Sequence, residues 1–255
     1  MISFSPLLNI LSRDIRNECK SIVRDFGEIE KLQSSITDIS NYVDKTEQNI
    51  ENKIILILNK IKPNLEIKNE SESNQENCWL VDFIDNRFNF SRANENFLIC
   101  ISLKEKNEIQ ASFFFNPIKD EFYFFQKGLG SYRNDERIRV SNRKKIVESV
   151  VNIFKKINQS DDYDGIIFLK SKLSENMVTQ RESGSVFLDL CNMASGKSDC
   201  CIFVNPSKKL KSISNLITNE SGGMLENVKY KDSEIYLAGN KYIEKLVKEM
   251  LEINS

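Results

Sequence analysis

There is no histidine anywhere in these 255 residues. That absence removes Ser-His and Cys-His nucleophile pairs, histidine general bases, and His-ligated zinc or haem. No C-x-x-C occurs either. The six cysteines (Cys19, Cys78, Cys100, Cys191, Cys200, Cys201) are scattered, mostly within apolar stretches, in a chain too large to depend on disulfides, so reduced core residues are expected. Long apolar runs are missing too: "IILIL" at 54–58 and "DGIIFLK" at 164–170 fall far short of a bilayer span. The N-terminus, "MISFSPLLNILSRDIRNE", lacks a basic n-region and acquires charge too early for a secretory signal. A cytoplasmic protein with no membrane partner is the expectation. Nor does one sign of charge dominate, since a formal net charge of -1 and a pI near 5.9 leave no global basic field to attract nucleic acid. Any polar chemistry must come from carboxylates, hydroxyls, Lys and Arg.

What is present fits an ordinary globular chain, 40% apolar and 29% charged, long enough to bury a sizeable core. Apolar residues recur at helical spacing over residues 5–30 and again over 44–62, which predicts two N-terminal helices within residues 1–62, the second ending at Pro63. The polar stretch 64–77 reads as a loop. Short β-branched and aromatic runs follow, "WLVDFI", "NFLICISL", "EIQASFFFNP" and "EFYFFQKG", separated by turn residues, and predict an antiparallel sheet over 79–140. Beyond it, over 141–255, helix and strand alternate: a helix at 145–158, a strand at "DGIIFLK", a helix at "SVFLDLCNMASG", a strand at "DCCIFVNP", a helix at "SISNLITNESGG", a strand at "SEIYLAGN", and an amphipathic helix from Lys241 to Ile253. With no repeat, low-complexity linker or clear boundary, the pattern predicts a single layered α+β domain.

The stretch that carries chemistry is "WLVDFIDNRFNF", residues 79–90. Asp82 and Asp85 stand three apart at what should be the end of an apolar strand. If the chain turns there, two hard oxygen ligands converge, and Mg²⁺ takes carboxylates of that kind while keeping several waters. A bare D-x-x-D is more often a pair of turn or solvent-facing acids, but the Trp-led strand before it and the "NF" after it are more particular.

The stretch resembles the inositol monophosphatase family, with its bacterial SuhB-type members, whose strand reads W-I-I-D-P-I-D-G-T-T-N-F. The likeness runs almost end to end. "FNPIKDEFYFFQKGLGSYRNDERIRVS" looks like the family's Y-N-P-x-x-D-E stretch, "RESGSVFLDLCNMASGKSD" like its R-x-x-G-S-A-A-L-D-L segment, and "LITNESGGML" like its closing E-A-G-G. The resemblance implies a five-layered αβαβα sandwich, usually dimeric. It also implies Mg²⁺-dependent hydrolysis of a small phosphorylated polyol, by a water that the bound ions activate. By resemblance the metal ligands are Glu70, seven residues after Pro63, with Asp82, the carbonyl of Ile84, and Asp85; the same three carboxylates, Glu70, Asp82 and Asp85, carry catalysis if the protein is active. The amides of Asn86 and Arg87 would hold the phosphate.

The departures fall at the chemistry. Phe83 replaces the proline between the acids, and Asn86-Arg87 replaces the family's Gly-Thr, which removes a residue permitting close phosphate approach and a hydroxyl that orients water. Counting back from Glu220, the family's W-D falls on Lys209 and Leu210, and leucine coordinates nothing. Arg87 suggests a guanidinium bound to Asp82 and Asp85 where a cation would sit, or one that points to solvent. Impaired hydrolysis on an intact scaffold is therefore expected. The alternatives are a working Mg²⁺-dependent inositol-1-monophosphatase with the missing ligand supplied by Asp199 or Glu220, and an interaction protein of the transcription machinery. The basic runs "RIRVSNRKK" and "SKKLK" read as solvated loops rather than a nucleic-acid surface, "GLG" at 128–130 as a turn, and Cys200-Cys201 as packing.

Overall fold

The computed structural model describes residues 6–34, 36–68, 75–154, 161–230 and 233–252. The N-terminal helical spacing resolves into three helices: α1 (Pro6–Glu18), α2 (Lys20–Lys31), and a long α3 (Ile36–Ile61). The break after α1 falls at Cys19, so the stretch read as one helix is two, and α3 begins earlier than residue 44. Thr46 on α3 donates a hydrogen bond to the buried carboxylate of Asp25 on α2, which pins the two helices together.

The described chain up to Phe124 packs as one compact unit and the chain from Phe125 onward as another. In the first, β1 (Ile67–Lys68), β2 (Cys78–Asp82), β3 (Ile99–Glu105), β4 (Glu108–Asn116) and β5 (Glu121–Gln126) stand in that order in a sheet, with α4 (Arg87–Ser91) between β2 and β3. All its pairings from β2 through β4 are antiparallel, as expected, while β1 joins β2 in parallel. The Phe113, Phe114, Phe115, Phe122 and Phe124 side chains are buried on this sheet, which is what aromatic runs in adjacent strands are for. Arg16 of α1 lies over the ring of Phe122 at 5.4 Å, so helix covers sheet.

The second unit contains the hairpin β6 (Gly130–Arg133) and β7 (Glu136–Arg137), a single 3₁₀ turn at Ile146–Glu148, and then β8 (Val150–Phe154), α5 (Asp161–Glu175), β9 (Thr179–Arg181), α6 (Val186–Ala194), β10 (Cys200–Val204), α7 (Lys208–Glu220), β11 (Met224–Tyr230), β12 (Ser233–Gly239) and α8 (Lys241–Glu252). Five strands form a mixed sheet in the order β11-β12-β10-β8-β9, parallel at β10/β8 and β8/β9 and antiparallel on both sides of β12. Ile166, Leu169 and Leu173 of α5 and Ile243, Val247 and Leu251 of α8 share one core with Val151, Ile153, Ile202, Ile235 and Leu237 from the strands.

Two expectations in this unit are corrected. The helix expected over 145–158 is replaced across its described part, 145–154: Val150–Phe154 is a strand whose residues are buried on both faces, so its apolar residues do not alternate, while 155–158 lie outside the described residues. "DGIIFLK" is not a strand but the body of α5. Ile166, Leu169 and Leu173 recur at helical spacing, and Ile167 between them is exposed. Strand β11, "MLENVKY", was not anticipated. Helix α7 ends as expected: Gly222 follows it at φ +79°, a left-handed conformation that glycine adopts without cost, and the Gly223 amide bonds back to the Thr218 carbonyl. Mixed α and β layers in both units agree with the α+β class.

Candidate metal and phosphate site

Strand β2 runs through the buried Trp79, Leu80 and Val81 and ends at Asp82, opposite Cys100 of β3. The chain leaves the sheet through Phe83 and Ile84, both buried, turns at Asp85 and Asn86, and enters α4. Strand end, turn and helix start follow one another within five residues, which brings Asp82, the Ile84 main chain and Asp85 into one short bend. Both acids are half-buried.

Asp85 is held by the neighbouring chain. Its amide donates to the Leu98 carbonyl at 3.0 Å, and its Oδ1 accepts from the Leu98 amide at 2.7 Å. Asn86 caps α4: its Oδ1 accepts from the Asn89 amide at 2.8 Å. The Asn86 backbone, at φ -132° and ψ 86°, is a conformation open to any residue, so asparagine replaces glycine there without strain. Phe90 of α4 is wholly buried and meets the Phe97 ring edge to face at 5.0 Å, which fastens the helix beneath the bend.

Arg87 does not sit between the two acids. Its guanidinium pairs with Asp44 and Glu47, one turn apart on α3. Of the two readings of Arg87, the bridge between Asp82 and Asp85 is overturned, and the guanidinium is not left to solvent alone, since its two arms each meet a carboxylate on α3. Asp44, Glu47 and the Leu98 amide are supporting groups that the sequence reading missed. The first two could have been found from their i, i+3 spacing on a helix; nothing in the sequence marks Leu98, which contributes only main chain.

The donor set here is two carboxylates and a carbonyl. All three are hard oxygens, and with waters in the remaining positions they suit one Mg²⁺ ion. Among the described residues no group of three or more His, Cys, Asp or Glu side chains converges to hold a metal. Glu70, expected as a further ligand, lies outside the described residues.

In the second unit, Leu210 occupies the first turn of α7, 7% exposed, its amide donating to the Ser207 N-cap. The "SKKLK" run is thus helical rather than a loop. Lys209 is buried, and Lys211 pairs with Glu234 while lying over the Tyr236 ring. Neither acid considered as a substitute ligand is available. Glu220, at the far end of α7, accepts the Gly128 and Gly130 amides at 2.8 Å, one on each carboxylate oxygen. The Asp199 side chain is wholly buried and binds Ser141, Arg143 and the Val150 amide. The "GLG" turn therefore does cradle an anion, but one supplied by its own chain. The six cysteines are free and buried, and burial pushes the Cys19 thiol up to about 12.

No helix among the described residues is long and apolar enough to cross a membrane. The profile of the Inositol monophosphatase family matches residues 11–249, and the chain belongs to that family. It is 28% identical over 251 residues to an inositol-1-monophosphatase of Mesorhizobium japonicum, spanning 94% of both chains. It is 25% identical over 255 residues to a Nus factor SuhB of Pasteurella multocida, covering 97% of this chain and 95% of that one. The extragenic suppressor protein SuhB of Bartonella henselae shares its fold at a TM-score of 0.77 and 23% identity, over 97% of this chain and 100% of that one.

Proposed function

We propose that this is a cytoplasmic inositol monophosphatase-type protein in which Mg²⁺-dependent hydrolysis of phosphorylated polyols is impaired. One observation carries the reading: the position at the head of α7 where the resemblance expects a metal ligand holds Leu210, and Asp199 and Glu220 are both engaged elsewhere. A bound Mg²⁺ would supply an activated water and neutralise phosphoryl charge. This chain's own part is to hold that ion through Asp82, the Ile84 carbonyl and Asp85, with Leu98 fixing the angle of Asp85, and to offer the Asn86 and Arg87 amides to phosphate. Arg87, standing where the resemblance expects a threonine and turned onto Asp44 and Glu47, adds no hydroxyl to orient water. Homodimerisation belongs to the same reading.

Hydrolysis of inositol-1-phosphate with and without Mg²⁺, beside an Asp85→Asn control, tests it. We expect little turnover; robust turnover abolished by D85N would overturn the reading in favour of a working phosphatase. A second reading, a protein that acts by contact with the transcription machinery, is favoured by the likeness to Nus factor SuhB and by an intact scaffold around a depleted ligand set. Pull-down of transcription proteins by the catalytically silent D85N variant would support it.

A further inference from the structure

A second concavity lies wholly within the second unit, at the end of α7 opposite Leu210. Ten residues of helix separate Leu210 from Glu220, or roughly 15 Å at 1.5 Å per residue. The cavity has a volume of about 550 Å³ and opens between the β6–β7 hairpin, the segment that follows it, and the start of α8. Small-ligand sites fall in the range of roughly 300–1,000 Å³.

The lining is cationic. Arg137, Arg139 and Lys241 face it, and among the described residues no carboxylate pairs with any of them. The one acid in the wall, Glu220, has both oxygens occupied by the Gly128 and Gly130 amides, which disperse its charge. Lys144 and Lys241 both lie against the Tyr242 ring, at 4.9 and 5.1 Å, which brings a fourth positive group to the rim. Behind these stands α8, twelve residues long, whose N-terminus adds partial positive charge.

The position of Arg137 is built into the backbone. Gly130 stands at φ +93°, and a Cβ there would come within 3.0 Å of the Arg137 guanidinium. Glycine therefore leaves the space that the guanidinium occupies at the cavity wall. Cations that line one cavity without a carboxylate partner repel one another, a cost relieved when a multiply charged anion enters. Planar guanidinium forks match the oxygen spacing of phosphate.

We propose that this cavity binds a phosphate-bearing small molecule, as a site separate from the Asp82–Asp85 bend and independent of whether hydrolysis occurs there. The arginine-rich run that the sequence presents as a solvated loop is then a ligand wall. The volume exceeds what inorganic phosphate alone fills, so phosphate and pyrophosphate serve as probes of the anion subsite.

Calorimetric and thermal-shift titrations of the full chain with phosphate and pyrophosphate, in chelator and at ionic strength fixed with chloride, test this. We expect saturable binding in the wild type and in Asp85→Asn alike, weakened about tenfold or more in Arg137→Gln/Arg139→Gln, equivalent to about 1.4 kcal/mol. Lys241→Gln, remote from the Gly130 contact, should weaken binding as well and serves if the double variant does not fold. The proposal is overturned if the arginine and lysine variants bind as the wild type does, if D85N alone abolishes binding, or if no saturation is reached by about 10 mM, a level that leaves less than about 3 kcal/mol of affinity. Saturable binding of single-stranded RNA with none of phosphate or pyrophosphate would also overturn it, assigning the face to nucleic acid.

Discussion

Asp85 and Leu98 hold each other twice, amide to carbonyl and amide to carboxylate, across the gap between the end of β2 and the start of β3. A backbone amide thus helps to aim the carboxylate. A buried amide left without an acceptor costs about 1–3 kcal/mol. In chelator, Asp85→Ala should therefore lose about that much stability by urea unfolding. Asp85→Asn, which keeps an Oδ1 for the Leu98 amide, should lose less than about 1 kcal/mol. Equal stability of D85A and the wild type would show that the Leu98 bond contributes nothing.

Arg87 yields a sharper discrimination. Its pairs with Asp44 and Glu47 involve a guanidinium 45% exposed, so Arg87→Ala should cost only about 0.5–1 kcal/mol, and less at high salt. Since the guanidinium turns toward α3, removing it should leave Mg²⁺ affinity nearly unchanged, as read from thermal shift across a magnesium titration. A large gain in affinity in R87A would mean that the arginine does occupy the space between Asp82 and Asp85.

How far the sequence carried the argument is visible at particular residues. The turn after Asp82 was legible because a Trp-led apolar strand and two acids act locally; helix α4, which Asn86 caps, was not anticipated within the stretch read as sheet. Val150–Phe154 was not, because a strand covered on both faces shows no alternation and its "VVNIF" reads as well on a helix. "IIFL" in α5 erred in the opposite direction: four apolar residues suit either element, and only the distant Leu173 reveals the period. Arg87 was misplaced for a different reason. The choice between nearby Asp82 and Asp85 and the more distant Asp44 and Glu47 depends on packing of α3 against α4, which local spacing does not encode. Glu220 could not be assigned for the same reason, since its partners are main-chain amides 90 and 92 residues away in sequence.

Asp189 on α6 gives a pH prediction. Its carboxyl is buried and accepts from Asn152 at 2.9 Å; burial raises its pKa from 3.8 to about 7, partly offset by hydrogen bonding with Ser183. The folded state thus binds this proton more tightly than the unfolded state. The contribution to stability is undiminished below pH 4, declines as pH rises, and is fully lost above pH 7. The whole span amounts to at most about 4 kcal/mol. Melting temperature should fall between pH 5 and pH 8 in the wild type and fall less in Asp189→Asn. The same slope in both would remove Asp189 as the cause.

Leu210 allows the central reading to be tested by restoration. In Leu210→Asp a carboxylate replaces an apolar side chain that is 7% exposed, so without metal the variant should be less stable by about 1–3 kcal/mol. If this position is where the family's ligand belongs, Mg²⁺ then binds the folded variant more tightly than the wild type. At an ion concentration near a hundred times the dissociation constant, the gain is about 2.7 kcal/mol. The predicted signature is therefore a crossing: L210D melts below the wild type in chelator and recovers most of the difference in magnesium or manganese, with hydrolysis of inositol-1-phosphate rising alongside. The wild type, left with Asp82, the Ile84 carbonyl and Asp85, should shift little over the same titration. If L210D gains no more from the ion than the wild type does, the head of α7 is not a ligand position in this chain, and the explanation for weak hydrolysis must be sought at Asn86 and Arg87 instead.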